Sequence, residues 1–157
     1  MLKGRIGEAI IERVFERFVK ILDEYEAISV IESDIRNAEK SVLIFSPFVN
    51  VELPPTRKIL NAIKDAVSRG VSVKIVVKPK THPKALQVLK DTQAEVYARD
   101  SHVKAVIIDE YNVLASYGKE DIMIRVSGLT RMSIIPKILS KKLFEELRPP
   151  TEEERIT

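Results

Sequence analysis

Three residues stand at a spacing that can do chemistry: His102, Lys104 and Asp109, within the run His-Val-Lys-Ala-Val-Ile-Ile-Asp. The run is rich in Val and Ile and reads as a strand. Residues two apart on a strand share a face, so His102 and Lys104 project together from its start. An imidazole beside an ammonium suits attack on a phosphodiester: the neutral ring is the nucleophile, and the lysine charge stabilises the equatorial oxygens as negative charge redistributes. Asp109 closes the strand at its far end and reaches the other two only if the chain bends. The catalytic candidates are therefore His102, Lys104 and Asp109, the last more readily orienting or structural than chemical.

These residues need elements to position them. Ile6, Ile10, Val14, Phe18, Leu22 and Tyr25 recur at spacings of three and four, which predicts a long amphipathic helix from Gly4 to about Ala27. Ser29-Val-Ile-Glu32 reads as a capping box opening a short helix to Lys40, and Ser41 to Ser46 as a buried strand stopped by Pro47. Past the Pro54-Pro55 turn, Thr56 is expected to cap a helix closed by Gly70, followed by a strand over 71–77. A helix over 83–91 and a strand over 94–98 come next, then the motif strand 102–109 and a partner over 112–116 in a hairpin or tight turn. A last strand over 121–126 and a closing helix over 133–147 complete an α/β fold: a mixed β-sheet sandwiched between helices, with the N-terminal amphipathic helix in front. The expected division is 1–28 for that helix, 29–148 for the domain and 149–157 for a polar, frayed tail.

Composition narrows the chemistry. With no cysteine and only two histidines, disulfides, thiolate nucleophiles and thiolate metal sites drop out, so no metal and no cofactor are expected. No apolar run is long enough to span a membrane, and a cytoplasmic protein is expected. The lack of Cys and Trp, with 31% charged residues, fits a thermophile. Net charge is only +3, yet residues 57–104 hold 11 Lys/Arg against 4 Asp/Glu. That cluster would draw a polyphosphate, with Lys78, Lys80 and Lys84 as candidate nucleic-acid contacts, or it simply keeps a loop soluble. His82-Pro83-Lys84 echoes the motif, but Leu89 stands where the aspartate should be and the segment reads as a helix start. Phe48 and Tyr111 are read as core packing more readily than as base-stacking platforms.

The run His102-x-Lys104-x4-Asp109 resembles the signature of the phospholipase D superfamily. The surroundings, from about Ser29 to Leu147, are similar too: a strand ending in Ser46-Pro47-Phe48, a helix leading through Arg69-Gly70-Val71 into another strand, and the motif late in the chain. The combination looks like the small single-motif nuclease branch. The resemblance implies a two-step displacement, with one motif histidine transiently phosphorylated and the other protonating the leaving oxygen. It therefore implies a homodimer in which two copies of His102 and Lys104 meet. The sequence departs from the pattern after Asp109, where Ala115-Ser116 replaces Gly-Ser one residue early. By resemblance Ser116 joins Lys104 in holding phosphate, and Glu120 and Asp121 occupy the neighbourhood of the imidazole-orienting carboxylate. The leading reading is a metal-independent nuclease. Its rivals are a lipid phosphodiesterase and a non-catalytic nucleic-acid-binding or regulatory module, the latter read as a domain of a larger nucleic-acid-processing protein.

Overall fold

A computed structural model describes residues 19–47, 49–110, 112–116, 123–127 and 146–157. Strand β1 (Val19–Leu22) leads to Asp23, whose carboxylate accepts the Glu26 N–H at 2.8 Å and so caps α1 (Glu24–Asn37). Of the helix expected over 4–27, residues 4–18 lie outside the described residues, and the rest is corrected: 19–22 form a strand and a new helix starts at Glu24. Sheet pairing and the Asp23 cap outweigh the apolar periodicity, and Tyr25, expected in the buried stripe, is 84% exposed. Ser29 is accordingly inside α1 and caps nothing.

Strand β2 (Ser41–Phe45) is followed by α2 (Pro54–Ser68), which begins on the two prolines themselves. The expected Thr56 cap is corrected for a simple reason: the first turn needs no N–H from Pro54 or Pro55, and their fixed φ suits it. Gly70, at φ +83, ends the helix in the left-handed region, with Val71 N–H bonding back to the Ala66 carbonyl. Arg69 donates to the carbonyls of Ile35 and Ala38 at 3.1 and 2.7 Å, tying the end of α1 to the end of α2. Then come β3 (Ser72–Val77), α3 (Pro83–Asp91), β4 (Glu95–Ala98), β5 (Lys104–Ile108), β6 (Asn112–Ser116), β7 (Met123–Ser127) and a 3₁₀ turn (Glu152–Glu154).

The seven strands form one mixed sheet in the order β1-β7-β6-β5-β2-β3-β4. Strands β2, β3 and β4 run parallel, and β5 lies antiparallel to both β2 and β6. One face carries Val42, Ile44, Val73, Ile75, Val106 and Ile108, packed beneath Ile31, Ile35, Leu60 and Ile63 of α1 and α2, with Leu89 of α3 in the same core. The opposite face buries Phe45, Val76, Tyr97, Ala105, Val113 and Ala115 against Leu147. The closing helix expected over 133–147 lies outside the described residues up to 145.

The expectation of a frayed tail is corrected. Arg155 bridges Tyr97, and Ile156 N–H bonds the Val96 carbonyl at 2.8 Å, so the C-terminal residues cover the exposed edge of β4. Arg99 holds them there. Its guanidinium spends all five donors, two on Glu154 at 2.8 and 2.9 Å and three on the carbonyls of Glu146, Arg148 and Pro149, while stacking 5.7 Å from the Phe45 ring centroid. Nothing in the tail's polar composition announces this; the partner lies 55 residues away.

Candidate active site

The topology brings five polar side chains to one edge of the sheet. Parallel β2 and β3 end together, with Ser46 N–H on the Val76 carbonyl at 2.9 Å, and Lys78 follows β3 directly. Antiparallel β5 begins at that same edge, since Ala105 pairs with Phe45, so Lys104 and the preceding His102 stand beside Ser46 and Lys78. Strand β6 ends there too, and the register sets Ser116 directly opposite Lys104. Directly paired residues share a face with Cβ atoms about 5 Å apart, so Lys104 and Ser116 can grip one small anion. The carboxyl ends of parallel strands are a common place for ligands in such sheets.

Local packing fixes the motif's start. Ser101 and Val103 are buried, and the Ser101 hydroxyl accepts the Val103 N–H at 3.2 Å. His102, between these anchors, is exposed, as is Lys104, whereas Ser116 is only 6% exposed. The His102 ring is met by an amine: Lys78 Nζ lies 3.0 Å from its Nδ1. The residues beside this edge open into a cleft of about 710 Å³ that contains Lys78, Lys80, Lys104 and Ser116, with Ile31 and Leu60 in its apolar wall.

Asp109 is not brought to this site. It lies five residue steps from Lys104, roughly 16 Å of extended chain. Its carboxylate instead accepts the backbone N–H groups of Glu39, Lys40 and Ser41, the shortest at 2.6 Å. Burial opposes its charge, but these three bonds and the Lys40 ammonium outweigh that and hold its carboxyl below the usual aspartate value. Asp109 and Glu110 both turn at positive φ, +51 and +65, to reverse the chain into β6. Aspartate tolerates that region better than most residues, which adds a backbone reason for its type here.

The remaining candidates divide. Lys80 lines the cleft, whereas Lys84 pairs with Glu52 at 3.3 Å and does not line it. His82 caps α3, its Nδ1 accepting the Lys84 N–H at 3.1 Å, as the helix-start reading expects. Glu120 and Asp121 lie outside the described residues, as do Phe48 and Tyr111. Among the described residues no group of three His, Asp or Glu side chains is placed to hold a metal ion, and no helix is long and apolar enough to cross a membrane. Sequence reasoning counted Lys78 as a contact for a polymer backbone and missed its place on the His102 ring. The available signal was that Lys78 immediately follows Val77, so it leaves its strand at the level where the motif strand begins.

Residues 31–124 match the family described as "Cardiolipin synthase, PLD-like domain". The chain belongs to the phospholipase D-like family. No curated protein matches it. Among solved structures, the phospholipase D-like chain is similar to Nuc, a phospholipase D family member from Salmonella typhimurium, with a TM-score of 0.53 at 20% identity over 82% of this chain and 88% of that one. It is similar to NucT from Helicobacter pylori, with a TM-score of 0.56 at 17% identity over 88% and 97% of the two chains. It also resembles TrmBL2, an archaeal chromatin protein described as having a novel mode of DNA binding, with a TM-score of 0.55 at 14% identity. That match covers 96% of this chain and 62% of TrmBL2. At these identities the likeness is one of fold, and it agrees with the α/β, mixed-sheet architecture expected from the sequence.

Proposed function

We propose that the phospholipase D-like chain is a phosphodiesterase that cuts nucleic acid without a metal ion, through a phosphohistidine formed on His102 in a homodimer. The observation that carries this reading is the convergence of His102, Lys104 and Ser116 on one edge of the sheet while Asp109 is spent elsewhere. Lys104 and Ser116 hold the non-bridging oxygens of the scissile phosphate. A ring nitrogen of His102 attacks phosphorus, an N–P bond forms and a P–O ester bond breaks. The leaving oxygen takes its proton from His102 of the partner subunit, which a single motif per chain requires. Water then attacks phosphorus, giving up a proton to that second ring, and the N–P bond breaks to restore the free histidine. Lys80 and the cleft beside it offer a place for the neighbouring nucleotide.

The test is cleavage of single-stranded DNA, duplex DNA and RNA in EDTA by the native protein and by His102→Ala. Cutting that survives EDTA and is lost in the variant supports the reading; its absence from both proteins opposes it. Light scattering at micromolar concentration should report a dimer, and a monomer would remove the second histidine the scheme needs. Hydrolysis of phosphatidylcholine vesicles with no cleavage of nucleic acid would move the substrate to lipid.

A second reading is a module that binds nucleic acid without cutting it. It draws on the likeness to TrmBL2 over 96% of this chain and on the amine at His102 Nδ1. Tight binding that weakens steeply with salt, with the substrate recovered unchanged, would favour it.

A further inference from the structure

The contact between Lys78 and His102 dictates where the ring proton sits. An ammonium has three protons to give and no lone pair to accept one, so across the 3.0 Å separation Lys78 Nζ donates and His102 Nδ1 accepts. A neutral imidazole has one N–H and one lone pair. With the lone pair of Nδ1 committed to Lys78, the proton is on Nε2, and neither nitrogen is free to attack phosphorus. Lys78 is well placed to impose this form, because it leaves β3 at the level where residues 101–103 lead into β5, and His102 is held between the buried Ser101 and Val103.

We infer that Lys78 is a positioning residue that keeps His102 unreactive in the empty site and gives it up to an incoming phosphodiester. Lys78 and Lys104 line the same cleft with Ser116, so an anion seated on Lys104 and Ser116 lies within the field of Lys78. A phosphate oxygen carries a negative charge that the Nδ1 lone pair does not, and it is the stronger acceptor for an ammonium. The ammonium transfers to the phosphate, the Nδ1 lone pair is released, and the ring becomes a nucleophile only when substrate is present. No bond to carbon or phosphorus changes in this step; one hydrogen bond is exchanged for another. The inference deepens the phosphohistidine reading and rests on it for its purpose, but the hydrogen bond itself is testable without turnover.

Only two histidines are present, and His82 serves as a helix cap that aspartate can replace. In the full chain carrying His82→Asp, diethyl pyrocarbonate therefore reports on His102 alone, through the ultraviolet absorbance of the carbethoxylated ring. The reaction is run at about pH 8.5, where an ordinary imidazole is uncharged, so that a change of charge beside the ring is not mistaken for a change in its lone pairs. Lys78→Met should raise the rate about fivefold, the factor set by losing a net hydrogen bond of about 1 kcal/mol. Lys78→Arg, which still donates, should leave it slow, and Lys80→Met should leave it unchanged. Denaturation midpoints check that each variant is folded. Equal rates in the native background and Lys78→Met overturn the inference, as does an equal rise with Lys80→Met. A faster reaction in Lys78→Met from a protein that cuts nothing would leave the contact standing and sink the nuclease reading instead.

Discussion

The two ends of β5 carry one motif and do different work. At its start, His102 and Lys104 are exposed beside a cleft, and among the described residues the His102 ring meets the Lys78 amine. At its end, Asp109 is tied to three consecutive backbone N–H groups where the chain enters β2, and its own N–H bonds the Ser41 carbonyl at 2.8 Å. The aspartate fixes β5 against β2, and that pairing sets the height at which His102 and Lys104 emerge. On the proposed function, Asp109 serves the motif by positioning the strand that bears it. The same edge makes a second contrast: Arg99 follows β4 as Lys78 follows β3, yet all five of its donors are spent on residues 146–154, whereas Lys78 lines the cleft.

Substitutions should separate these ends. The largest effect is expected from His102→Ala, which should lower cleavage by at least about a thousandfold, as loss of a nucleophile does, with a stability loss of no more than the about 1 kcal/mol of its hydrogen bond to Lys78. Steady-state cleavage alongside urea unfolding checks both halves of that statement.

Next comes acid. The Arg99 guanidinium holds the Glu154 carboxyl at about 2, against the ordinary 4.5, so the folded state binds this proton more weakly than the unfolded chain. The resulting stability, about 3 kcal/mol, is present above the ordinary glutamate range and is lost as pH falls from about 5 towards 2. Asp109, also lowered, adds to the loss in the same direction. Urea midpoints across that window should fall steeply in the native protein, and Glu154→Gln should flatten the curve.

Asp109→Ala should cost about 2 kcal/mol by leaving the N–H groups of Glu39, Lys40 and Ser41 without their carboxylate and by placing alanine at positive φ. The midpoint should drop at an unchanged denaturant slope, while cleavage per folded molecule survives. The smallest effect belongs to Ser116→Ala, about tenfold in kcat/KM for one lost hydrogen bond to phosphate, with stability unaltered.

Much of this division could be read before the fold was known. The alternation of the motif strand placed His102 and Lys104 on one face, and the length from Lys104 to Asp109 already argued that the aspartate works elsewhere. The strands β2 and β3 were marked by the runs Ser41 to Ser46 and Val71 to Val77, and α2 by its apolar stripe and Gly70. What failed was local patterning against long-range pairing. The spacing of Val14, Phe18, Leu22 and Tyr25 looked helical, but Val19–Leu22 pairs with β7, more than 100 residues later in the chain. The tail looked solvated because its anchor, Arg99, is far away in sequence. The partners of Asp109 were invisible for a related reason: backbone N–H groups carry no residue signature, so their gathering by one carboxylate is a property of the fold alone.

The central claim is that chemistry lives at the start of β5 and structure at its end, and one paired measurement tests it most directly: metal-free cleavage and urea midpoint for His102→Ala and Asp109→Ala side by side. The account predicts a crossed pattern, with His102→Ala stable but inert and Asp109→Ala destabilised yet active while folded. A stable Asp109→Ala protein without activity, or a His102→Ala protein that still cuts, would contradict it.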